Sequence, residues 1–178
     1  TVEDSAGNPI TAANATFTTV PDTTAPTVTF SPVNGATGVA ISDNIIITFS
    51  EAVRNIDNTV LTDSNIDSLI TLKLTNASGA DIAFDATIDT NKKVITINPI
   101  SNLFYSQAVY VAIGTTVEDS AGNPITAANA TFTTVPDTTA PTVTFSPVTG
   151  ATGVAISDNI IITFSEAVRN IDNTVLTD

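Results

Sequence analysis

Residues 43–53 read Asp43-Asn44-Ile45-Ile46-Ile47-Thr48-Phe49-Ser50-Glu51-Ala52-Val53, and the same letters return at 158–168. Ile45, Ile47 and Phe49 alternate with Ile46, Thr48 and Ser50, a period of two that gives a strand one apolar face. β-Branched and aromatic residues at these positions suit a half-buried pleated surface. The pattern continues on both sides. Val28 and Phe30 alternate with Thr27 and Thr29; Ile70, Leu72 and Leu74 with Thr71, Lys73 and Thr75; Ile82, Phe84, Ala86 and Ile88 oppose Asp85, Thr87 and Asp89. Residues 93–97, 109–113 and 131–135 complete a set of seven. Between the strands stand Gly35-Ala36-Thr37-Gly38, Asn76-Ala77-Ser78-Gly79, Thr90-Asn91 and Ala121-Gly122-Asn123-Pro124, which supply turns. Seven short strands separated by turns predict an all-β, seven-stranded Greek-key immunoglobulin-like β-sandwich. Residues 52–68 lack the alternation, and a helical turn is expected there.

Residues 1–63 recur at 116–178, and one of the 63 pairs differs, Asn34 against Thr149, so the period is 115 residues. A solenoid unit runs roughly 20 to 50 residues, whereas this period is the size of an independent domain. The chain therefore reads as part of a tandem array. Cutting at Val20-Pro21-Asp22-Thr23-Thr24-Ala25-Pro26, repeated at 135–141, divides it into three. Residues 1–21 are the C-terminal end of a preceding repeat, 22–136 a complete repeat, and 137–178 the N-terminal part of the next. The partial pieces lack equivalents of 64–115, so they do not together make a second domain.

Composition narrows the function. With 5 basic and 18 acidic side chains the net charge is -13, which argues against nucleic-acid or anionic-membrane partners, since both need clustered Lys and Arg. Hydrophobic residues at 42% suffice for a packed core, and no apolar run approaches the roughly 18 to 20 residues that span a bilayer. Thr1 opens no signal peptide, so an exported protein would carry its targeting segment elsewhere. The absence of Cys and His excludes disulfides, thiolate or imidazole metal sites, Ser-His-Asp triads and histidine acid-base chemistry. No enzyme is expected. A carboxylate pair for glycoside hydrolysis would have no Trp platform, and Tyr105 and Tyr110 are the only tyrosines.

Three motifs, in this order and spacing, carry a family resemblance: Asp22-Thr23-Thr24-Ala25-Pro26, Phe49-Ser50-Glu51-Ala52-Val53, and Glu118-Asp119-Ser120-Ala121-Gly122-Asn123-Pro124 before the last strand. Together they resemble the bacterial Ig-like domains, SbsA-like in type, of S-layer proteins and large repetitive surface adhesins. The resemblance spans the whole period and implies an extracellular structural module of the bacterial cell surface, without catalytic residues. The repeats then act as a rod-like spacer or filament-building unit whose partners are neighbouring repeats and, laterally, other chains of a fibre or layer. The alternatives are a glycan- or protein-binding module of an adhesin, or an accessory domain of a secreted hydrolase.

Chain direction brings carboxylates together at one pole. The first strand leaves it, the second returns to it, and the turn before the last strand sits there too. Asp22, Glu51 and Asp119 converge accordingly. Two carboxylates about 5 Å apart at an effective dielectric near 20 repel by roughly 3 kcal/mol, a cost that a shared cation reverses. Oxygen ligands without Cys or His select Ca²⁺ over zinc or copper. Asp137 and Glu166 repeat the first two ligands in the next repeat, without a third. Turn chemistry accounts for the same residues equally: Asp22 and Asp119 are both placed to close Asx-turns, and Glu51 can be solvated.

Other acidic residues suggest less. Asp57, Asp63 and Asp67 form no Asp-x-Asp-x-Asp-Gly loop and are expected in solvent. Asp85 and Asp89 are expected on an outer strand face, protecting an edge. Asn14, Asn76 and Asn129 stand in Asn-x-Ser/Thr sequons, a minor consideration in a bacterial protein.

Overall fold

The computed structural model describes residues 2–171 and 176. Two compact units divide the chain, Thr1–Val135 and Pro136–Asp178. In the first, β1 (Val28–Ser31), β2 (Ile45–Phe49), β3 (Arg54–Asn55), β4 (Ile70–Leu74), β5 (Phe84–Ile88), β6 (Val94–Pro99), β7 (Ala108–Ile113), β8 (Val117–Glu118) and β9 (Ala128–Thr133) follow in order. The helical turn expected within 52–68 is a 3₁₀ turn at Ile66–Leu69, ahead of β4. The second unit contains β10 (Val143–Ser146) and β11 (Ile161–Phe164).

The chain is all-β: eleven short strands lie in four sheets among the described residues, against the seven expected for one repeat. A four-stranded sheet has the order β1-β2-β6-β5 and a three-stranded sheet β4-β7-β9. The surplus has two sources. β3 and β8, two residues each, pair as a small separate ribbon, and β10 pairs with β11 in the second unit. Two-residue strands are too short to leave a periodic signature.

One apolar core joins the two larger sheets. Ile45, Ile47 and Phe49 of β2 point inward with Ile95 and Ile97 of β6, as do Leu72 of β4, Val109, Val111 and Ile113 of β7, and Ala130 and Phe132 of β9, all buried. The alternation read from the sequence is the alternation of burial: along β7 every second residue is buried.

Sheet edges are closed by different devices. The segment after β1 runs beside β9: Gly35 N donates to Thr131 O (2.7 Å), Thr133 N to Ala36 O (2.8 Å) and Val135 N to Val39 O (2.8 Å). The Asn34 side chain adds an acceptor for Thr131 N at 2.9 Å. On β5, two carboxylates take the place of a neighbouring strand. Asp67 Oδ1 accepts from Ala86 N and Asp63 Oδ1 from Ile88 N, each at 2.9 Å. Asp63 and Asp67 are thus not merely solvated loop residues. Their spacing of four around the 3₁₀ turn matches the spacing of two between outward amides on a strand. Asp89, for its part, closes the β5–β6 turn by accepting from Lys93 N and Val94 N. These bonds, led by that from Val94, hold its carboxyl below the ordinary value.

Removing either edge cap strands a strand amide. Asp63→Ala and Asp67→Ala should each lower the unfolding free energy by about 1–3 kcal/mol, read from the urea midpoint. Asp85→Ala, at an exposed position without such a bond, should change it by less than about 0.5 kcal/mol. Equal midpoints for all three variants would remove the capping role.

Candidate functional site

Asp22, Glu51 and Asp119 come together: each offers a carboxylate oxygen, and the three oxygens lie within 4.8 Å of one another. They arrive on three separate segments, each positioned by a different local interaction.

Asp22 precedes β1 in an Asx-turn, its Oδ1 accepting from Thr24 N at 2.9 Å. Pro26 is buried four residues on, anchoring the linker to the domain. Glu51 directly follows β2, where Ser50 N donates to Thr27 O (3.1 Å) and Thr27 N to Ser50 Oγ (3.0 Å). These two bonds fix the end of β2 against the start of β1, and so bring Glu51 towards the linker. Glu51 is half-buried and accepts no hydrogen bond among the described residues.

Asp119 is buried, at 1% exposure, within the loop between β8 and β9. Its Oδ1 accepts from Ala121 N and Asn123 N, both at 2.8 Å, and its Oδ2 from Asn123 Nδ2 at 2.8 Å. A carboxylate has about four lone-pair sites, so three donors leave room for one more partner. Hydrogen bonding from the Asn123 backbone, then from its side chain, holds the Asp119 carboxyl below the ordinary 3.8, against the opposing effect of burial. The group is a carboxylate at neutral pH. Gly122 takes φ +92 inside this turn, a conformation that favours glycine.

Two features that the sequence reading missed join the segments. Asn123 Nδ2 also donates to the Asp22 main-chain oxygen at 3.3 Å, so one side chain ties the β8–β9 loop to the linker. Arg54 of β3 pairs with Glu118 of β8: Nε donates to Oε1 and Nη2 lies 3.1 Å from it, with Glu118 buried. That ion pair sits in the register Arg54↔Glu118, three residues beyond Glu51 and one before Asp119. Removing Arg54 would leave the buried Glu118 carboxylate poorly solvated. The signal in the sequence was one Arg opposite one Glu on two-residue strands, too short to align without coordinates.

The copies of these motifs elsewhere act as internal controls. Asp4, the counterpart of Asp119, accepts from Ala6 N (2.9 Å), Asn8 N (2.9 Å) and Asn8 Nδ2 (3.0 Å), although the loop there is exposed. The turn is thus encoded by its own residues. Asp137, the counterpart of Asp22, forms the same Asx-turn with Thr139 N at 2.9 Å. Asp137 and Glu166 are exposed and belong to no group of three carboxylates among the described residues.

Hard oxygen donors, one of them with no other partner, suit a hard divalent cation. The residues fit Ca²⁺ by chemistry; Asp22, Glu51 and Asp119 would hold it, and the ion would supply a crosslink between linker, β2 and the β8–β9 loop.

Residues 22–134 and 137–177 match the family model described as bacterial Ig-like domain. The chain belongs to the bacterial Ig-like domain family. Among curated proteins nothing matches it. Solved structures similar to this Ig-like chain include CopC from Methylosinus trichosporium OB3b, at 13% identity and a TM-score of 0.43, covering 65% of this chain and 98% of that one. Another is the N-terminal part of the bacterial S-layer protein SbsC, at 16% identity and a TM-score of 0.42, covering 67% of this chain and 26% of that one. No helix among the described residues is long and apolar enough to cross a membrane.

Protonation of Asp119 provides a test of the loop. Its depressed folded pKa means that its bonds contribute fully above the unfolded value of about 3.9 and are lost as pH falls through the folded value. The parent protein should lose stability from about pH 4 downward, and Asp119→Asn should lose less over the same window. Identical pH slopes in urea titrations would show that Asp119 contributes nothing.

Proposed function

We propose that this Ig-like chain is a structural module of a repetitive extracellular bacterial surface protein, acting as a rod-like spacer or filament-building unit rigidified by Ca²⁺. In this reading residues 22–136 form one complete seven-stranded Greek-key repeat, from β1, β2, β4, β5, β6, β7 and β9. Residues 1–21 and 137–178 are parts of its neighbours. The sheet orders β1-β2-β6-β5 and β4-β7-β9 support it, since they follow the ABED and CFG pattern of constant-type immunoglobulin sandwiches.

One observation carries the mechanical part: the convergence of Asp22, Glu51 and Asp119 where the linker enters the repeat. A cation there ties the linker, the end of β2 and the β8–β9 loop to one point, converting a hinge into a clasp. Near-identity of the copies favours a spacer, in which units are interchangeable, over a catalytic or recognition role, in which one unit would specialise.

A binding module is the second reading, favoured by an apolar groove of about 220 Å³ lined by Ile82, Ile100, Leu103 and Phe104, with Asp81 and Asn102 beside them. Phe104 and Ile100 are largely exposed. Glycan binding by the chain, lost in Phe104→Ala, would favour it over the spacer.

The calcium clasp is tested by melting. Ca²⁺ at about a hundred times its dissociation constant should add about 2.7 kcal/mol, raising Tm, and a chelator should reverse the gain; Glu51→Gln should abolish the response. A melting temperature indifferent to both Ca²⁺ and chelator would leave the cluster as turn chemistry alone.

A further inference from the structure

The sequence contains a single Asn-Gly pair, Asn34-Gly35, and it stands where the repeated segments differ, since the second copy reads Thr149-Gly150. An asparagine side chain carries an electrophilic carbonyl carbon, and the main-chain nitrogen of the next residue is the nucleophile placed to close a cyclic imide with it. A side chain on that next residue crowds the attack, and glycine has none. At Gly35 nothing lies within 4 Å of where a Cβ would stand. Both Asn34 and Gly35 are exposed to water. Asn8, Asn98 and Asn123 each precede a proline, whose nitrogen has no proton to give up.

The fold engages both reacting groups. Gly35 N donates to Thr131 O at 2.7 Å, and Asn34 Oδ1 accepts from Thr131 N at 2.9 Å. One residue of β9 thus holds the nucleophile by its proton and the electrophile by its oxygen. Gly35 N must lose that proton to attack, and an amide proton in a hydrogen bond is surrendered only when the bond opens. The pair lies at the start of the contact that continues through Thr133 N to Ala36 O and Val135 N to Val39 O. It opens when the start of the 34–39 segment parts from β9.

We propose that Asn34 is a site of spontaneous deamidation gated by this sheet edge. When the 34–39 segment leaves β9, Gly35 N attacks Asn34 Cγ. The new N–C bond displaces the side-chain nitrogen, which leaves as ammonia with the proton from Gly35, and a cyclic imide remains. Water then opens the imide. Cleavage of the new bond at Cγ gives aspartate, and cleavage of the original main-chain bond gives isoaspartate, with the chain routed through Cβ and Cγ. The net change is water in and ammonia out, with no oxidant or reductant.

The two products act differently on the edge. Aspartate keeps an acceptor for Thr131 N and adds a negative charge. Isoaspartate inserts a methylene into the main chain between positions 34 and 35, which displaces Gly35 N from Thr131 O and shifts the register beyond it. A repeat that has opened repeatedly therefore carries a permanent mark of it. Thr149 has a hydroxyl in place of the amide, so the second copy lacks this chemistry.

The full chain is incubated at mildly alkaline pH, folded and in guanidinium chloride above its unfolding midpoint, then digested. Mass spectrometry of the peptide containing residue 34 measures the amide lost, and chromatography separates its aspartate and isoaspartate forms. The unfolded chain should convert Asn34 about tenfold faster than the folded chain, or more, and this ratio should match the protection of the Gly35 amide against hydrogen exchange. The peptide containing Thr149 should gain no acid at that residue. An unfolded chain that leaves Asn34 intact would overturn the site. Equal rates in the folded and unfolded chain, or a ratio unrelated to the exchange protection, would overturn the gate.

Discussion

Burial of the inward faces of β2 and β9 against strands supplied by residues 64–113 is the constraint on which the rest of this structure depends. The repeat itself isolates it. Residues 13–18 have the sequence of β9 yet form no strand, and Phe17 is 89% exposed where its counterpart Phe132 is 1%. Among the described residues no strand pairs with 13–18, whereas β7 pairs with β9 from Ala108↔Thr133 to Ile113↔Ala128. Strand formation in this segment is therefore a tertiary outcome, not an intrinsic preference, as is usual for half-buried pleated residues. The β1–β2 ribbon behaves differently: its copy β10–β11 keeps the full register without cover. Local pairing builds the ribbon, and the middle of the repeat then buries it.

The same division runs through the carboxylate cluster. The Asp119 loop is local, since Asp4 reproduces its hydrogen bonds in an exposed segment, and the Asp22 turn is local, since Asp137 reproduces it. Their approach to Glu51 is not. It requires β1 beside β2, the β3–β8 register with its Arg54–Glu118 pair, and the Asn123 tie to the Asp22 carbonyl. Three negative groups are brought close only when the sandwich closes, so repulsion among them opposes folding and a bound cation favours it. Coupling of this kind would make a cation bound there a stabiliser of the whole repeat.

Much of this was legible in the sequence, for identifiable reasons. β2, β4 and β7 alternate cleanly because one face of each meets the core, and the convergence of Asp22, Glu51 and Asp119 follows from strand direction alone. β3 and β8 were not legible, being two residues long. Asp63 and Asp67 are exposed, as expected, but their bonds to β5 were not legible, because a carboxylate that substitutes for a neighbouring strand has no pattern of its own; the match between a 3₁₀ turn and the outward amides of β5 exists only in three dimensions. Asn123 resembled an ordinary turn residue, and its second bond reaches across 101 positions.

The proposed spacer role would require resistance to tension, and the hydrogen-bond pattern bears on this directly. The segment after β1 lies parallel to the end of β9, with a parallel bridge between Val39 and Thr134. Gly35 N to Thr131 O, Thr133 N to Ala36 O, Val39 N to Thr133 O and Val135 N to Val39 O form a row between the two. Chain enters the repeat ahead of one partner and leaves it from the end of the other, so tension along the chain slides the two in opposite directions. Bonds in such a row are strained together instead of opening one after another. Asn34 lengthens the row by one acceptor on Thr131 N, and Thr149 omits it. The sole substitution between copies thus falls on the row that would carry the axial load in the proposed spacer.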